Sequence, residues 1–328
     1  MSHVTRRTVL SGFAAFLAAG AASPAGAAAR LPELTIWGPP AGPSITLVHA
    51  IAAGALQPVA DRVDFKVWRS PDELRAGLTS KTMSVVVLPT QVAANLCNRG
   101  LGIRLVNVMT NGLLYVVSAD ASIASMAPLA GRMVAVPFRN DTPDLLFRRL
   151  LAAHDLSPDA DLTLRYTGTP IEAVQLLLTG RVDAALVPEP GASAAIIRSD
   201  LAGKAMTRVL DIQEIWGQTT GLPPVLPQAG LGVTAEFLES HGPAVAALRD
   251  ALVDATASVN ADPPRAASDA AAVLGMPWPV LEQSIPFSKL VAVRARDARP
   301  TLEPMYQAIA ELDAAVIGGK LPPPEFYL

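Results

Sequence analysis

A single cysteine, Cys97, stands among the 328 residues, which excludes an intramolecular disulfide even in an oxidising compartment and leaves stability to packing. Cys97 lies in a helical pattern from Val92 to Arg99 and reads as a small core residue rather than a reactive thiol. Histidine is nearly as scarce. The four present, His3, His49, His154 and His241, are far apart, with no second ligand at metal-binding spacing. No Gly-x-Ser-x-Gly elbow, phosphate-binding Gly-x-x-x-x-Gly-Lys, Cys-x-x-Cys or dinucleotide fingerprint occurs. These absences remove the common routes to catalysis, so binding without a cofactor becomes the default expectation. Charge is also in short supply: the net value of -3 is mildly acidic and evenly spread, and offers nothing to nucleic acid.

What is present begins with an export signal. Thr5-Arg6-Arg7 precedes an apolar stretch from Val9 through Ala22 and then small residues, with Ala25-Gly26-Ala27 or Ala27-Ala28-Ala29 as the cleavage site. The paired arginines are of the twin-arginine type. An uncleaved anchor is the alternative, but the apolar part is short of the roughly 20 residues a span needs. Cys97 is too far downstream for a lipid anchor placed just after the signal. Removing residues 1–29 takes away Arg6 and Arg7 and brings the net charge to about -5. Roughly 300 residues remain, suited to two domains.

The remainder contains one unit twice. Leu34–Trp37 reads as a strand, Gly38 to Pro43 as a loop, and Ser44 to Ala53 as a helix. At an offset of one hundred stand the apolar run Met133–Val136, the polar loop Arg139-Asn140-Asp141-Thr142-Pro143, and a helix carrying Leu145, Leu146, Leu150 and Leu151. Pro43 meets Pro143 and Leu56 meets Leu156. Further on, Pro71 and Pro170, Glu73 and Glu172, Leu78 and Leu177, and Pro89 and Pro188 are each separated by 99. Ser70-Pro71-Asp72-Glu73 and Thr169-Pro170-Ile171-Glu172 are matching capping boxes. A period near one hundred means duplicated domains, and alternating strands and helices in each copy predict two mostly parallel sheets flanked by helices. Asn111–Ser118 is suited to cross from one domain to the other, and Ala229–Val233 to return. The tail from about Pro243 is Ala-rich, and is expected to be helical and to pack largely on the first domain.

Ligands of open α/β sheets sit outside the carboxyl ends of strands, so four helix starts should face one cleft. They are Pro43-Ser44, Pro89-Thr90, Thr142-Pro143 and Pro188-Glu189. Ser44 and Thr90 would offer hydroxyls and backbone N–H groups. Arg139 would offer a fork for a carboxylate or sulfonate, with Asn140, Asp141 and Thr142 beside it. Each has a plainer reading. Ser44 and Thr142 can simply cap helices, with Pro143 as the first helical residue; Arg139 can pair with Asp141 or Asp144; Glu189 gains from a helix dipole without any ligand. Trp37 is either an aromatic wall of the cleft or core. Tyr115, on the first crossing, completes the candidate set.

The order of these segments resembles the NitT/TauT group of periplasmic substrate-binding proteins of ABC importers, which includes nitrate, taurine, alkanesulfonate and thiamine-pyrimidine binders. The resemblance rests on the export signal, Gly38-Pro39-Pro40-Ala41-Gly42-Pro43-Ser44, Val87-Leu88-Pro89-Thr90, Leu114-Tyr115-Val116-Val117-Ser118 and the run from Gly180-Arg181-Val182-Asp183 to Val187-Pro188-Glu189-Pro190. It implies the type II periplasmic binding fold, with residues 30–116 and 232–328 as lobe 1 and 117–231 as lobe 2. It further implies a monomer in the periplasm that closes on a small molecule by rotating about Tyr115 and Gly230-Leu231-Gly232, then docks on a membrane permease and its ATPase. With Arg139 as the one evident cation against Asp141 and Glu189, the loops point away from nitrate and toward a small organic ligand, heteroaromatic or zwitterionic. The alternatives are an enzyme on the same scaffold, of the menaquinone-pathway or pyrimidine-synthase type, or a sensor without a transporter. The pyrimidine synthase relies on a cysteine-rich segment and an active-site histidine, whereas this chain has one cysteine and no histidine near the loop points. If the export reading holds, intact-mass measurement of the secreted protein will place the mature N-terminus directly after Ala27 or Ala29, and a full-length mass would refute it.

Overall fold

A computed structural model describes residues 30–328 of the chain; the export signal expected at 1–29 lies outside the described residues. The first copy of the unit comprises β1 (Leu31–Gly38), α1 (Gly42–Ala52), β2 (Ala60–Val67), α2 (Pro71–Thr79), β3 (Val85–Pro89) and α3 (Thr90–Asn98), followed by β4 (Ile103–Thr110). The chain then crosses to β5 (Leu114–Ser118), β6 (Met133–Pro137), α4 (Thr142–Ala153), β7 (Thr163–Thr167), α5 (Pro170–Leu178), β8 (Ala184–Pro188) and α6 (Gly191–Leu201). β9 (Thr207–Asp211) and α7 (Ile212–Thr220) complete that lobe. The return is made by β10 (Ala229–Thr234), and the tail supplies α8 (Ala235–Ala261), α9 (Pro263–Leu274), α10 (Trp278–Ser284), β11 (Leu290–Arg294) and α11 (Ala295–Ala310).

Two sheets result, ordered β11-β4-β10-β3-β1-β2 and β7-β6-β8-β5-β9. The duplicated strands run parallel within each sheet, while β10 and β5 run against their neighbours. The reversal has a simple cause. The duplicated strands end at the edge facing the other lobe, whereas a strand arriving from that lobe must begin there. Register confirms it, since Ala229 opposes Pro89 and Leu114 opposes Pro188.

The repeat is visible in hydrogen bonds as well as in order. Ser70 Oγ accepts from the Glu73 N–H at 3.2 Å while Glu73 accepts from the Arg69 N–H at 2.8 Å. Thr169 Oγ1 accepts from Glu172 at 3.2 Å while Glu172 accepts from Gly168 at 2.8 Å. Each pair satisfies N–H groups that the first helical turn cannot. Both α2 and α5 therefore start from the same chemistry, as read from the two boxes.

Sheet membership moves the lobe boundaries from those expected. Leu114–Val116 pairs in the second sheet and Ala229–Leu231 in the first, because a strand pairs as a unit and the crossings must fall in unpaired chain. The crossings are thus residues 111–113 and 221–228. The tail also differs in part: β11 adds an antiparallel edge to the first sheet beside β4, where helix alone was expected. Its helices pack largely on that lobe, although α10 also meets α6 and α11 meets α4 of the second. His49 of α1 ties two of them to the first lobe, with Nδ1 2.8 Å from Asp269 of α9 and Nε2 2.9 Å from Ser258 of α8. One apolar cluster runs through both lobes, from Leu88 and Leu105 by way of Leu226 and Trp216 to Leu145 and Leu186.

The matched caps make a quantitative expectation. Ser70→Ala and Thr169→Ala should each cost about 1 kcal/mol in urea unfolding, and the double variant should cost their sum because the sites lie in different lobes. Unequal or strongly coupled losses would count against equivalent caps.

Candidate functional site

The strand ends Gly38, Val67 and Pro89, with the starts of β10 and β11, form one edge of the first sheet. Pro137, Thr167, Pro188 and Asp211, with the start of β5, form the facing edge of the second. The two edges touch. Arg75 of α2 reaches Asp141 at 3.0 Å, and Thr142 Oγ1 donates to Gln91 Oε1 of α3 at 3.2 Å. Near the crossings, Tyr115 Oη donates to the Phe287 carbonyl at 2.9 Å, and Lys289 Nζ donates to Asp211 at 3.0 Å. Farther out, Arg149 of α4 pairs with Glu311 at 2.9 Å.

The predicted residues divide into groups. Ser44 is fully buried in the first turn of α1, and its Oγ has no hydrogen-bond partner. It is not a cap, since the N-cap is Ala41. A Cβ on Gly38 would come within 2.6 Å of that oxygen, so the glycine lets β1 end against the serine. Thr90 is buried and committed to the returning crossing and to lobe 1: its Oγ1 donates to the Pro227 carbonyl at 2.6 Å and its carbonyl accepts from Tyr306 at 3.1 Å.

Asp141, not Thr142, is the N-cap of α4, accepting from the Thr142 N–H at 2.9 Å, and Pro143 is accordingly the second helical residue. The helix starts one residue earlier than expected because Asp141 already has the extended backbone and side-chain acceptor of a cap. Its carboxyl is pushed up by burial, against the opposing pull of Arg75 and the Thr142 N–H.

Arg139 and Asn140 are exposed. The Arg139 guanidinium lies 4.8 Å over the Tyr166 ring and lines a cavity of about 570 Å³ with Arg148, Asp155, Asp159 and Leu312, on the flank of α4. Neither expected pairing of Arg139 forms. Asp144 is taken by Arg148 at 3.1 Å and Asp141 by Arg75. Asn140 sits at φ 61°, a left-handed conformation that asparagine tolerates, and its amide oxygen accepts from Arg148 at 3.3 Å. Trp37 is half-buried, packs against the main apolar cluster and carries Lys66 5.4 Å from its ring centre, so its indole is spent on packing.

Glu189 is fully buried two residues before α6, whose N-cap is Pro190. Its Oε1 accepts from Arg208 Nε at 2.7 Å, and its Oε2 accepts from the Ser193 N–H at 3.1 Å. Burial pushes this carboxyl up, and Arg208 pulls it down. The Arg208 guanidinium in turn lies 3.6 Å over the Phe287 ring and 5.5 Å over Tyr115. Burial, with Asp211 and Glu189 nearby, raises the Tyr115 phenol.

Sequence reasoning missed Arg208, Phe287, Gln91, Arg75 and Gln228. Gln228 directly precedes β10; its carbonyl accepts from the Thr90 N–H at 3.0 Å, and its buried Nε2 has no partner. None of these belongs to a motif. Arg208 and Phe287 lie more than seventy residues apart and meet only when the lobes face each other. Ser44 Oγ and Gln228 Nε2 are unpaired polar atoms beside the strand ends, which makes the cleft between the edges, rather than the flank cavity, the candidate site. Among the described residues no group of three His, Cys, Asp or Glu is placed to hold a metal ion.

Comparison with known proteins follows the same outline. Residues 76–275 match the NMT1-like family. No curated protein matches the chain. Among solved structures, an ABC transporter from Parabacteroides distasonis is 24% identical with a TM-score of 0.72, covering 91% of this chain and 98% of its own. The periplasmic aliphatic sulphonate binding protein SsuA from Escherichia coli is 18% identical with a TM-score of 0.69, covering 90% and 92%. The periplasmic nitrate-binding protein NrtA from Synechocystis PCC 6803 is 16% identical with a TM-score of 0.62, covering 77% and 70%. At these identities the likeness establishes the fold, the two-lobed type II periplasmic binding architecture.

The Arg75–Asp141 contact yields a paired prediction. Arg75→Met leaves a buried carboxylate without its cation and should cost about 1–2 kcal/mol, less than a fully buried pair because Arg75 is 43% exposed. Asp141→Asn keeps the cap and removes the charge, so it should be nearly neutral. Burial raises the Asp141 carboxyl, so ionisation there opposes folding above its pKa. The Arg75→Met deficit should therefore shrink as pH falls through that raised value, and thermal melts of both variants across acidic pH would reveal a deficit that does not.

Proposed function

Because this chain belongs to the NMT1-like family, we propose that it is the extracytoplasmic solute-binding component of an ABC importer. In this reading it is a periplasmic monomer that holds a small organic molecule between its lobes and hands it to a membrane permease driven by an ATPase. The observation that carries the proposal is the pair of unpartnered buried groups, Ser44 Oγ and Gln228 Nε2, beside strand ends that face a second lobe joined by only two crossings. Buried polar atoms are ordinarily hydrogen-bonded, and a ligand seated at the strand ends supplies the missing partners.

The remaining contacts then have distinct roles. Backbone N–H groups in the first turn of α1 and the Ser44 hydroxyl receive the ligand from lobe 1. The Tyr115 and Phe287 rings, 6.2 Å apart edge to face, close the end near the crossings. Arg75–Asp141 and Gln91–Thr142 act as a latch at the opposite end, formed only when the lobes meet. The rotation is taken up at residues 111–113 and 221–228. Export by the expected signal and the names of the solved neighbours as binding proteins support this reading over an enzyme on the same scaffold.

Native mass spectrometry of protein exported by its own signal should find a bound small molecule, and adding that molecule back to stripped protein should contract the radius of gyration in X-ray scattering. Ser44→Ala and Gln228→Ala should each weaken its binding about tenfold, the value of one lost hydrogen bond. Full affinity in both variants would refute the assignment of the cleft.

A further inference from the structure

Resting on the reading of the cleft as a solute site, we infer that Glu189 is a built-in counter-anion for Arg208. It fills the place that a ligand carboxylate or sulfonate would take, so the cleft admits solutes without net negative charge and turns anions away.

Arg208 is the deeply placed cation where the lobes meet. Its side chain is only 11% exposed, lies on β9 of lobe 2, and is covered by the Phe287 ring of lobe 1 at 3.6 Å. A guanidinium so far from water requires an anion. It has one within the chain. Nε and Nη2 both donate to Glu189 Oε1, and Nη2 also donates to Ser193 Oγ at 2.7 Å. The other carboxylate oxygen, Oε2, takes the Ser193 N–H in the first turn of α6, where the helix start favours negative charge. A cationic fork and a helix start together make an anion site. Here that site is occupied by a carboxylate that is itself completely buried.

Two other cations at the facing edges are matched in the same way, Arg75 by Asp141 and Lys289 by Asp211, while Lys66 at the end of β2 is spent over the Trp37 ring. Arg139, read from sequence as the ligand's fork, lies on the outer flank against Tyr166. The unpartnered groups beside the strand ends, Ser44 Oγ and Gln228 Nε2, are neutral, and Arg149, whose Nε is also unpartnered, is held by Glu311 farther out. An anionic solute would have to displace Glu189, whose tether gives it an effective concentration that free solutes do not reach, or else sit beside it as a second negative charge. A neutral polar or zwitterionic solute faces neither obstacle.

The test is chemical rescue. Wild type, Glu189→Ala and the double variant Glu189→Ala/Arg208→Gln are melted in methanesulfonate, acetate and the uncharged probe acetamide at constant ionic strength. Glu189→Ala should melt below wild type and regain stability in methanesulfonate and acetate but not in acetamide, while wild type and the double variant respond to none of them. Calorimetry should show methanesulfonate binding Glu189→Ala at least about tenfold more tightly than wild type. If Glu189→Ala does not fold, Glu189→Gln provides the same readout, since it keeps an acceptor for the Ser193 N–H while removing the charge. A folded variant with no gain for methanesulfonate overturns the inference, as does failure of both variants to regain structure in it. Tight methanesulfonate binding by wild type also overturns it, yet leaves the solute-binding reading standing. Absence of lobe closure with any solute sinks that reading and leaves the rescue result intact.

Discussion

The rest of the molecule depends on how the backbone passes between its two sheets at residues 111–113. Asn111 donates its N–H to the Lys289 carbonyl at 2.9 Å and accepts from the Leu226 N–H at 2.9 Å, so the outgoing crossing is tied to the returning one and to the turn before β11. Gly112 has φ 141°, and a Cβ there would fall 1.8 Å from the Gln213 side chain. That close approach lets Gln213 Oε1 accept the Leu114 N–H at 3.1 Å. Only glycine fits such a passage. Three chain segments distant in sequence are therefore held at one point, and this point sets how the strand-end edges meet.

From this constraint the electrostatics follow. Once the edges touch, several charged groups lose water, and every one named at the contact has an opposite partner at hydrogen-bond distance. The pairs differ in kind. Arg75–Asp141 and Lys289–Asp211 span the lobes, so under the proposed closure they would form and break with it, whereas Glu189–Arg208 lies within lobe 2. A buried pair is costly to assemble and costlier to leave half-made. The inter-lobe pairs thus bias the closed state only as far as their geometry offsets desolvation, which suits a device that must also open. The intra-lobe pair does something different: it shapes what charge the cleft can accept.

Much of the fold was legible because local chemistry repeats. The capping boxes at Ser70 and Thr169, the prolines at 71 and 170, and the strand-ending prolines at 89 and 188 each act within a few residues, so they mark helix starts and strand ends without tertiary help. Where several residues compete for one role, local reading slips by a position, as with Thr142 and Asp141. Strands without punctuation were missed. β9 has its only punctuation at its end, where Asp211 caps α7, and β11 has none and is a strand only because β4 offers it an edge. The candidate site was less legible than the fold. Ser44 was found from its place after a strand, but the side chains that meet it or its surroundings, Gln228, Arg208 and Phe287, come from segments with no motif. Arg139 shows the converse: a residue with suitable chemistry in a suitable loop was turned outward by a left-handed backbone at Phe138 and Asn140.

Taken alone, the sequence determined the duplicated α/β unit, the order of its elements, the two-lobe plan and the absence of the common catalytic motifs, because these depend on periodicity, caps and breakers that act over a single turn or strand. The tertiary structure alone decided which polar groups are left over at the cleft and which are consumed. Whether Glu189 faces a ligand or Arg208, and whether Arg139 lines the cleft or the flank, turns on pairings between residues far apart in the chain. Such pairings are set by desolvation and distance in the folded molecule, and neither quantity is written in the local pattern.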